Sequence, residues 1–85
     1  MALFLVEREF AEQLLLNKEM IEGAVAVNVE EDVRWMFSFL SADKKKSYCL
    51  FEAPNPEAIM TASARLGMPA NAITPVDEVR PEAFA

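Results

Sequence analysis

The middle of the chain carries two strand-like segments joined by a short polar turn. Val33 to Ser41 predicts a β-strand with two unlike faces, because every second residue from Val33 to Phe39 is apolar or aromatic. Residues Ser41 to Lys45 predict a turn, and Lys46 to Ala53 returns as the second strand. A hairpin in the middle of the chain restricts the possible folds to those in which the segments before and after it both pack on its sheet.

The length of the connecting loop determines which side chains of this hairpin share a face. A two-residue loop at Asp43-Lys44 predicts three cross-strand pairs on one face: Trp35 with Glu52, Phe37 with Leu50, and Phe39 with Tyr48. The other face then carries Met36, Ser38, Cys49 and Phe51. A loop longer by one residue would shift the faces of the two strands relative to each other.

Helices are predicted on both sides of the hairpin. Asn17 is a suitable N-cap for a helix that runs to about Glu30. The stripe of this helix consists of Met20, Ile21, Ala24, Val25 and Asn28. Asn55 and Pro56 have the residue types of a second helix start, and Gly67 is suited to the left-handed residue that ends it.

Outer strands complete the pattern. Leu3 to Phe10 predicts a first strand, and its nearly continuous apolar character indicates burial on both faces. The last strand is predicted from Ala72 to Val79, and Pro75 assigns it to an edge because proline cannot donate to a sheet ladder. The order β-α-β-β-α-β predicts an α+β ferredoxin-like sandwich. Its four-stranded antiparallel sheet has the order 4-1-3-2, with both helices on one face. We expect one domain over residues 1–85, with residues 80–85 as a flexible tail.

The second face of such a sheet has no helix to cover it. The chain is 53% hydrophobic, above the usual ~45–50%. Trp35, Phe37, Phe39 and Leu50 would form a contiguous apolar patch on that face, and such patches mark interfaces or ligand grooves. This predicts a homodimer that packs sheet face to sheet face. The alternative is that the aromatic side chains face the helices and the opposite face is half-polar.

Charge and composition argue against several other partners. The net charge is −6, and the only basic run is Lys44 to Lys46, so no nucleic-acid partner is expected. The apolar start, Met1 to Val6, is too short for a signal or a membrane span, so we expect no membrane association and a cytoplasmic location. The single cysteine, Cys49, excludes an internal disulfide and fits a reducing compartment.

Several segments in order along the chain carry a resemblance to a known family. They are Phe4 to Arg8, Val33 to Trp35, Ser38 to Asp43, Tyr48 to Pro54, and Gly67 to Pro69. Together they resemble the small bacterial nickel-binding-protein-like family, formerly described as a domain of unknown function. The resemblance implies a ferredoxin-like fold, a dimer of the α+β barrel type, and metal binding.

The chain differs from that family where metal ligands are expected. The family often has histidine at the position of Phe37 and tyrosine at that of Phe51, whereas this chain contains no histidine. Nickel(II) favours imidazole or thiolate ligands. The weak candidate metal ligands that remain are Glu7, Cys49 and Glu52, and the predicted hairpin places Cys49 and Glu52 on opposite faces. We therefore expect no cofactor, and little or no binding of nickel.

The candidate ligand-binding residues are those predicted to meet on the open face: Glu7, Trp35, Phe37, Tyr48 and Glu52. Each polar candidate also has a structural interpretation. Cys49 suits a core position, Glu52 a solvated strand end, and Tyr48 a buried hydroxyl with any nearby acceptor. Arg8 or Arg34 is expected to pair with a carboxylate, because charges within a central sheet need partners.

Three functions are compatible with these features. The first is a dimeric binding protein for a small ligand or metal ion. The alternative is a cofactor-independent enzyme, of isomerase or monooxygenase type, that uses the cavity of the barrel. The third is a structural or regulatory interaction module. Without histidine no Ser-His-Asp or Cys-His arrangement is possible, and the spacing of Glu7 and Glu52 does not require acid–base chemistry.

Overall fold

Strands and helices follow one another in the predicted order. The computed structural model describes residues 1–84. Its elements are β1 (Ala2–Glu9), α1 (Lys18–Glu30), β2 (Arg34–Leu40), β3 (Lys46–Ala53), α2 (Pro56–Arg65), β4 (Ala72–Val76) and a short 3-10 helix (Pro81–Phe84). The four strands form one antiparallel sheet of order β2-β3-β1-β4, which is the predicted order 4-1-3-2. The ferredoxin-like α+β prediction is therefore confirmed.

Both helices begin and end on signals that the sequence carries locally. The side chains of Asn17 and Asn55 accept hydrogen bonds from backbone N–H groups in the first turns of α1 and α2, at 2.9 Å each. Gly67 follows α2 with φ of +66°, and the Met68 N–H donates to the Ser63 carbonyl at 2.9 Å. α1 ends in the same way, but Asp32 rather than glycine takes the left-handed conformation, with φ of 61°.

The core lies between the two helices and one face of the sheet. Phe4 and Val6 of β1, Phe51 of β3 and Ile59 of α2 are at most 4% exposed. In β1 only every second residue is buried, and Leu3, Leu5 and Glu7 on the other face are half-buried. The expectation that β1 is buried on both faces is thus wrong within the single chain, because both helices lie on one side of the sheet.

The α1 stripe is narrower than predicted. Asn28 is buried, Ile21 and Ala24 are half-buried, and Met20 and Val25 are more than 40% exposed. α1 contacts the sheet through β2 at its end and also contacts α2, so only part of its apolar surface faces the core. None of the helices in residues 1–84 has the length and apolar character needed to cross a bilayer.

The hairpin register is confirmed at its closed end and wrong at its open end. Phe37 pairs with Leu50 and Phe39 with Tyr48, as predicted. Trp35, however, pairs with Phe51 rather than with Glu52, and Arg34 takes the position opposite Glu52. A β-bulge at Met36 inserts one extra residue into β2 and reverses the phase of the alternation.

This bulge moves Trp35 to the helix-covered face. There it packs on the core, and its Nε1–H donates to the Ser38 hydroxyl at 2.8 Å. Val33 is also buried, at 3% exposure, whereas Phe37 and Phe39 lie on the opposite face. The physical reason is burial, because on this face the indole packs against the apolar core.

β4 is shorter than predicted, but it lies at an edge of the sheet, as Pro75 predicts. It pairs only with β1, and Pro75 lies opposite Phe4 on this edge strand. The chain leaves the sheet after Val76, and the side chains from Asp77 to Phe84 are exposed. The predicted flexibility of residues 80–85 stays a prediction, and Ala85 lies outside the described residues.

Candidate functional site

The sheet face away from the helices, here called the open face, is apolar, and neither α1 nor α2 covers it. It carries alternate residues of all four strands: Leu3, Leu5, Phe37, Phe39, Tyr48, Leu50, Ala72 and Val76. Most of them are half-buried by their neighbours in the sheet, but Phe37 is 52% and Phe39 65% exposed. A patch of this kind is unusual on the surface of an isolated domain.

The two phenylalanines form one projecting unit. The ring centroids of Phe37 and Phe39 lie 5.7 Å apart at an interplanar angle of 85°, an edge-to-face arrangement. Because they are two positions apart after the bulge, both rings point to the open side. The bulge at Met36 is therefore what separates this aromatic pair from Trp35.

The segment after β4 borders one end of the open face. Residues Asp77 to Arg80 and the sheet residues Leu3, Phe37, Leu50 and Val76 enclose a groove of about 300 Å³. The guanidinium of Arg80 at its margin is paired with the carboxylates of Glu78 and Glu82. The groove thus has an apolar floor and a polar rim.

Ion pairs mark both ends of the open face. Arg34 bonds Glu52 at 3.2 Å at one end, and Lys46 lies 3.5 Å from Glu9 at the other. Tyr48 and then the Glu9 carboxylate raise the pKa of Lys46. The pairing of Arg34 with a carboxylate is as expected, and it holds Glu52 at the rim of the face.

The structure places four of the five predicted ligand-binding residues on the same face of the sheet and the fifth on the other face. Glu7, Phe37, Tyr48 and Glu52 lie on the open face, and Glu7 is directly opposite Tyr48. Trp35 lies on the other side of the sheet. The prediction that Trp35 lies in the same pocket is wrong, because the bulge turns its side chain to the helix-covered face. Whether the other four bind a ligand stays a prediction.

The three weak candidate metal ligands do not converge. Glu52 is opposite Leu3 and Glu7 is opposite Tyr48, so the two carboxylates are four residues apart along the strand pair, on the order of 13 Å. Cys49 is buried on the helix side of the sheet. Nowhere in residues 1–84 do three His, Cys, Asp or Glu side chains come close enough to hold a metal ion.

A second group of polar residues, on the helix side, was not predicted as a site. Arg8, Asn28, Ser38, Ser47 and Cys49 line a cavity between the sheet and the helices. A carboxylate partner was expected for Arg8 or Arg34, and Arg34 has one. The Nη1 of Arg8 instead donates to the Ser63 hydroxyl at 3.0 Å and to the Pro69 carbonyl at 2.7 Å. The available signal was Asn28, a polar residue on an otherwise apolar helix stripe.

The comparisons with known proteins agree with this architecture. The model of a family described as nickel responsive protein SCO4226-like matches residues 4–76. The chain belongs to this family. A crystal structure of SCO4226 from Streptomyces coelicolor A3(2) is similar to the chain, with a TM-score of 0.79 and 22% sequence identity. The match covers 93% of this chain and 100% of that chain, and at this identity it shows the fold alone. Comparison with curated protein sequences gave no match.

Membership of the SCO4226-like family raises the question of nickel, which the family description names. The side chains present here do not fit a nickel site within one protomer. The chain has no histidine, its one thiol is on the covered face, and its carboxylates on the open face are far apart. The chain has the fold of the family, and it offers no imidazole to nickel.

Proposed function

We propose that the protein is a homodimer, formed by packing two open faces against each other, that binds a small ligand between the two sheets. The observation that carries this proposal is the exposure of Phe37 and Phe39 on a continuous apolar face. Specific interfaces are formed by surfaces of this composition, with aromatic side chains at the centre and charges at the rim. The ion pairs of Arg34 and Lys46 provide such a rim.

The geometry of the open face supports a sheet-to-sheet interface. Two sheets pack about 10 Å apart, a separation that the side chains of both inner faces fill. The projecting rings of Phe37 and Phe39 are the largest exposed side chains on this face and would be covered by the partner sheet. A stable dimer of this kind buries on the order of 1,200–2,000 Å².

The proposed ligand site is the part of the interface around Glu7, Phe37 and Tyr48. The aromatic walls suit a small flat molecule, while the Tyr48 hydroxyl and the Glu7 carboxylate provide hydrogen-bonding groups. Glu52 is engaged by Arg34, so its contribution would be to the rim. We propose that this ligand is a small aromatic compound and that nickel binds weakly or not at all, because imidazole is missing.

Two measurements test the proposal. Sedimentation velocity at micromolar concentration should give a dimer, and a monomer at that concentration would exclude it. Titration with indole, followed by calorimetry, should show saturable binding that Phe37→Ala removes. Met60→Ala is the matched control, because Met60 is an equally exposed apolar residue, 57% exposed, on α2. Equal loss of indole binding in both variants would contradict the assignment of the site.

A further inference from the structure

A second cavity lies on the other side of the sheet, between the strands and the two helices. Its volume is about 60 Å³, and its walls are mainly apolar. The lining side chains include Phe10, Leu14, Trp35, Leu66 and Met68. A buried water needs about 10–15 Å³ of such space, so there is room for about four waters or one small organic molecule.

The guanidinium of Arg8 is buried in this cavity without a counter-charge. The residue is 5% exposed, and its Nη1 donates only to neutral oxygens, those of Ser63 and Pro69. Its central carbon lies 5.8 Å from the Phe51 ring. No carboxylate among residues 1–84 lies within ion-pair distance of Arg8, whereas Arg34, Arg65 and Arg80 each have at least one carboxylate partner.

An unpaired buried cation is costly, because it loses its hydration without gaining an opposite charge. Burial lowers the pKa of Arg8, and the neighbouring Cys49 thiol acts in the opposite direction. Arginine nevertheless keeps its proton in proteins, so the positive charge stays in the cavity. The cavity is therefore electropositive inside an acidic protein of net charge −6.

Asn28 provides an independent observation. The residue is 5% exposed, and its side chain lines the cavity. Its backbone carbonyl is already engaged, accepting from the Val33 N–H at 2.8 Å. The side-chain amide has two N–H donors and one acceptor oxygen, so it adds a polar group to a wall that is mainly apolar. Ser47, 4% exposed, adds a hydroxyl to the same wall.

We propose that this cavity binds a small monocarboxylate with a short hydrocarbon tail. Its carboxylate would accept hydrogen bonds from the Arg8 guanidinium, the Asn28 amide and the Ser47 hydroxyl. Its tail would contact the apolar walls. One guanidinium matches a single negative charge, whereas a doubly charged phosphate would leave an unpaired charge among apolar side chains. The size of the cavity limits the ligand to about four or five heavy atoms.

The single tryptophan, Trp35, lines the cavity and reports on its contents. Titration of the full-length protein with propionate, at constant ionic strength in sodium chloride, should change its fluorescence in a saturable way. Propionamide has the same shape without the charge and should bind at least about tenfold more weakly, since charge-assisted hydrogen bonds exceed neutral ones by about that factor. Absence of a saturable change with propionate, or equal affinity for propionamide, would overturn the proposal.

Variants locate the binding site. Asn28→Asp keeps the shape of the side chain but adds a negative charge that repels propionate and competes for Arg8. It should weaken binding at least about tenfold. Asn71→Asp is the matched control, because Asn71 is exposed and only its side-chain oxygen is used, accepting from the Glu9 N–H. Unchanged affinity in Asn28→Asp would contradict the proposal.

The open face provides a further control. Phe39→Glu alters the proposed dimer interface and not the cavity, so propionate affinity should stay within about twofold of the wild type. Loss of propionate binding in this variant would show that the fluorescence change arises from binding at the open face, and it would overturn the proposed site in the cavity. Arg8→Gln, if circular dichroism shows it folded, should also lose binding. If the Arg8→Gln variant does not fold, the affinity of Asn28→Asp alone decides whether propionate binds in the cavity.

Discussion

Replacing Phe39 by glutamate should dissociate the proposed dimer without unfolding the protomer. Phe39 is 65% exposed in the single chain, so its removal costs the protomer little. A phenylalanine side chain buries about 200 Å² when fully covered, so the partner sheet would cover about 130 Å² of each ring. For the two symmetry-related copies this is about 260 Å², which at ~25 cal/mol per Å² corresponds to about 6 kcal/mol as an upper limit.

Half of that value, about 3 kcal/mol, already weakens dimerisation by more than a hundredfold. The introduced carboxylates add to the loss, because two negative charges would be brought into an apolar interface. A dimer with a micromolar dissociation constant would thus become a monomer throughout the concentration range of sedimentation velocity. Thermal unfolding of the dilute monomer should be nearly unchanged.

Met60→Glu is the control for nonspecific effects of the substitution. Met60 is an exposed apolar residue of α2, 57% exposed, on the helix side of the molecule. This variant should sediment as the wild type does. If Phe39→Glu and the wild type sediment alike at every dilution, the open face is not the interface.

Three further results are expected. Isothermal titration with nickel at neutral pH should show no site of micromolar affinity in the wild type, and Phe37→His should create or strengthen one by restoring imidazole; a tight wild-type site would contradict this. Gly67→Ala should lower the free energy of unfolding by about 1 kcal/mol because of its φ of +66°, whereas Gly23→Ala, inside α1 and with no atom within 4 Å of an added Cβ, should raise it by about 1 kcal/mol. If urea denaturation shows that both substitutions change the free energy of unfolding in the same direction, the assignment of strain to position 67 is refuted. The Ser41 hydroxyl, followed by the Lys45 N–H, lowers the pKa of Asp43, so its stabilising contribution is present above the ordinary value of 3.8 and is lost as the pH falls below it. Asp43→Asn should reduce the acid dependence of the unfolding temperature, and an unchanged profile would show that this carboxylate does not contribute.

Of the candidate site, the sequence predicted the face but not all of its members. The alternation in β3 and in the outer half of β2 correctly assigned Phe37 and Tyr48 to one side, with Glu7 beside them on β1. Trp35 was misplaced because the alternation from Val33 to Phe39 is uninterrupted, and nothing local distinguishes a regular strand from a bulged one. The bulge at Met36 is favoured by the packing of the indole against the core, which is a tertiary effect.

The cavity around Arg8 shows the same limit of prediction from sequence. A carboxylate partner was expected for Arg34 or Arg8, because the sequence shows only that charges lie within the sheet. Arg34 has such a partner, whereas among residues 1–84 no carboxylate pairs with Arg8. Its actual acceptors, the Ser63 hydroxyl and the Pro69 carbonyl, are more than fifty residues away, and their positions depend on how the end of α2 packs on the sheet. No pattern of residue spacing contains that information.

By itself the sequence determined the order of elements, the caps at Asn17 and Asn55, the left-handed Gly67 and the edge position of the strand with Pro75. These features follow from interactions within a few residues of the chain, or from a missing N–H, and they hold wherever the segment packs. The tertiary structure alone decided the phase of β2 around Trp35 and the hydrogen-bond partners of Arg8. Each of these depends on which face of the sheet the helices cover, because burial stabilises a side chain only where another element removes it from water.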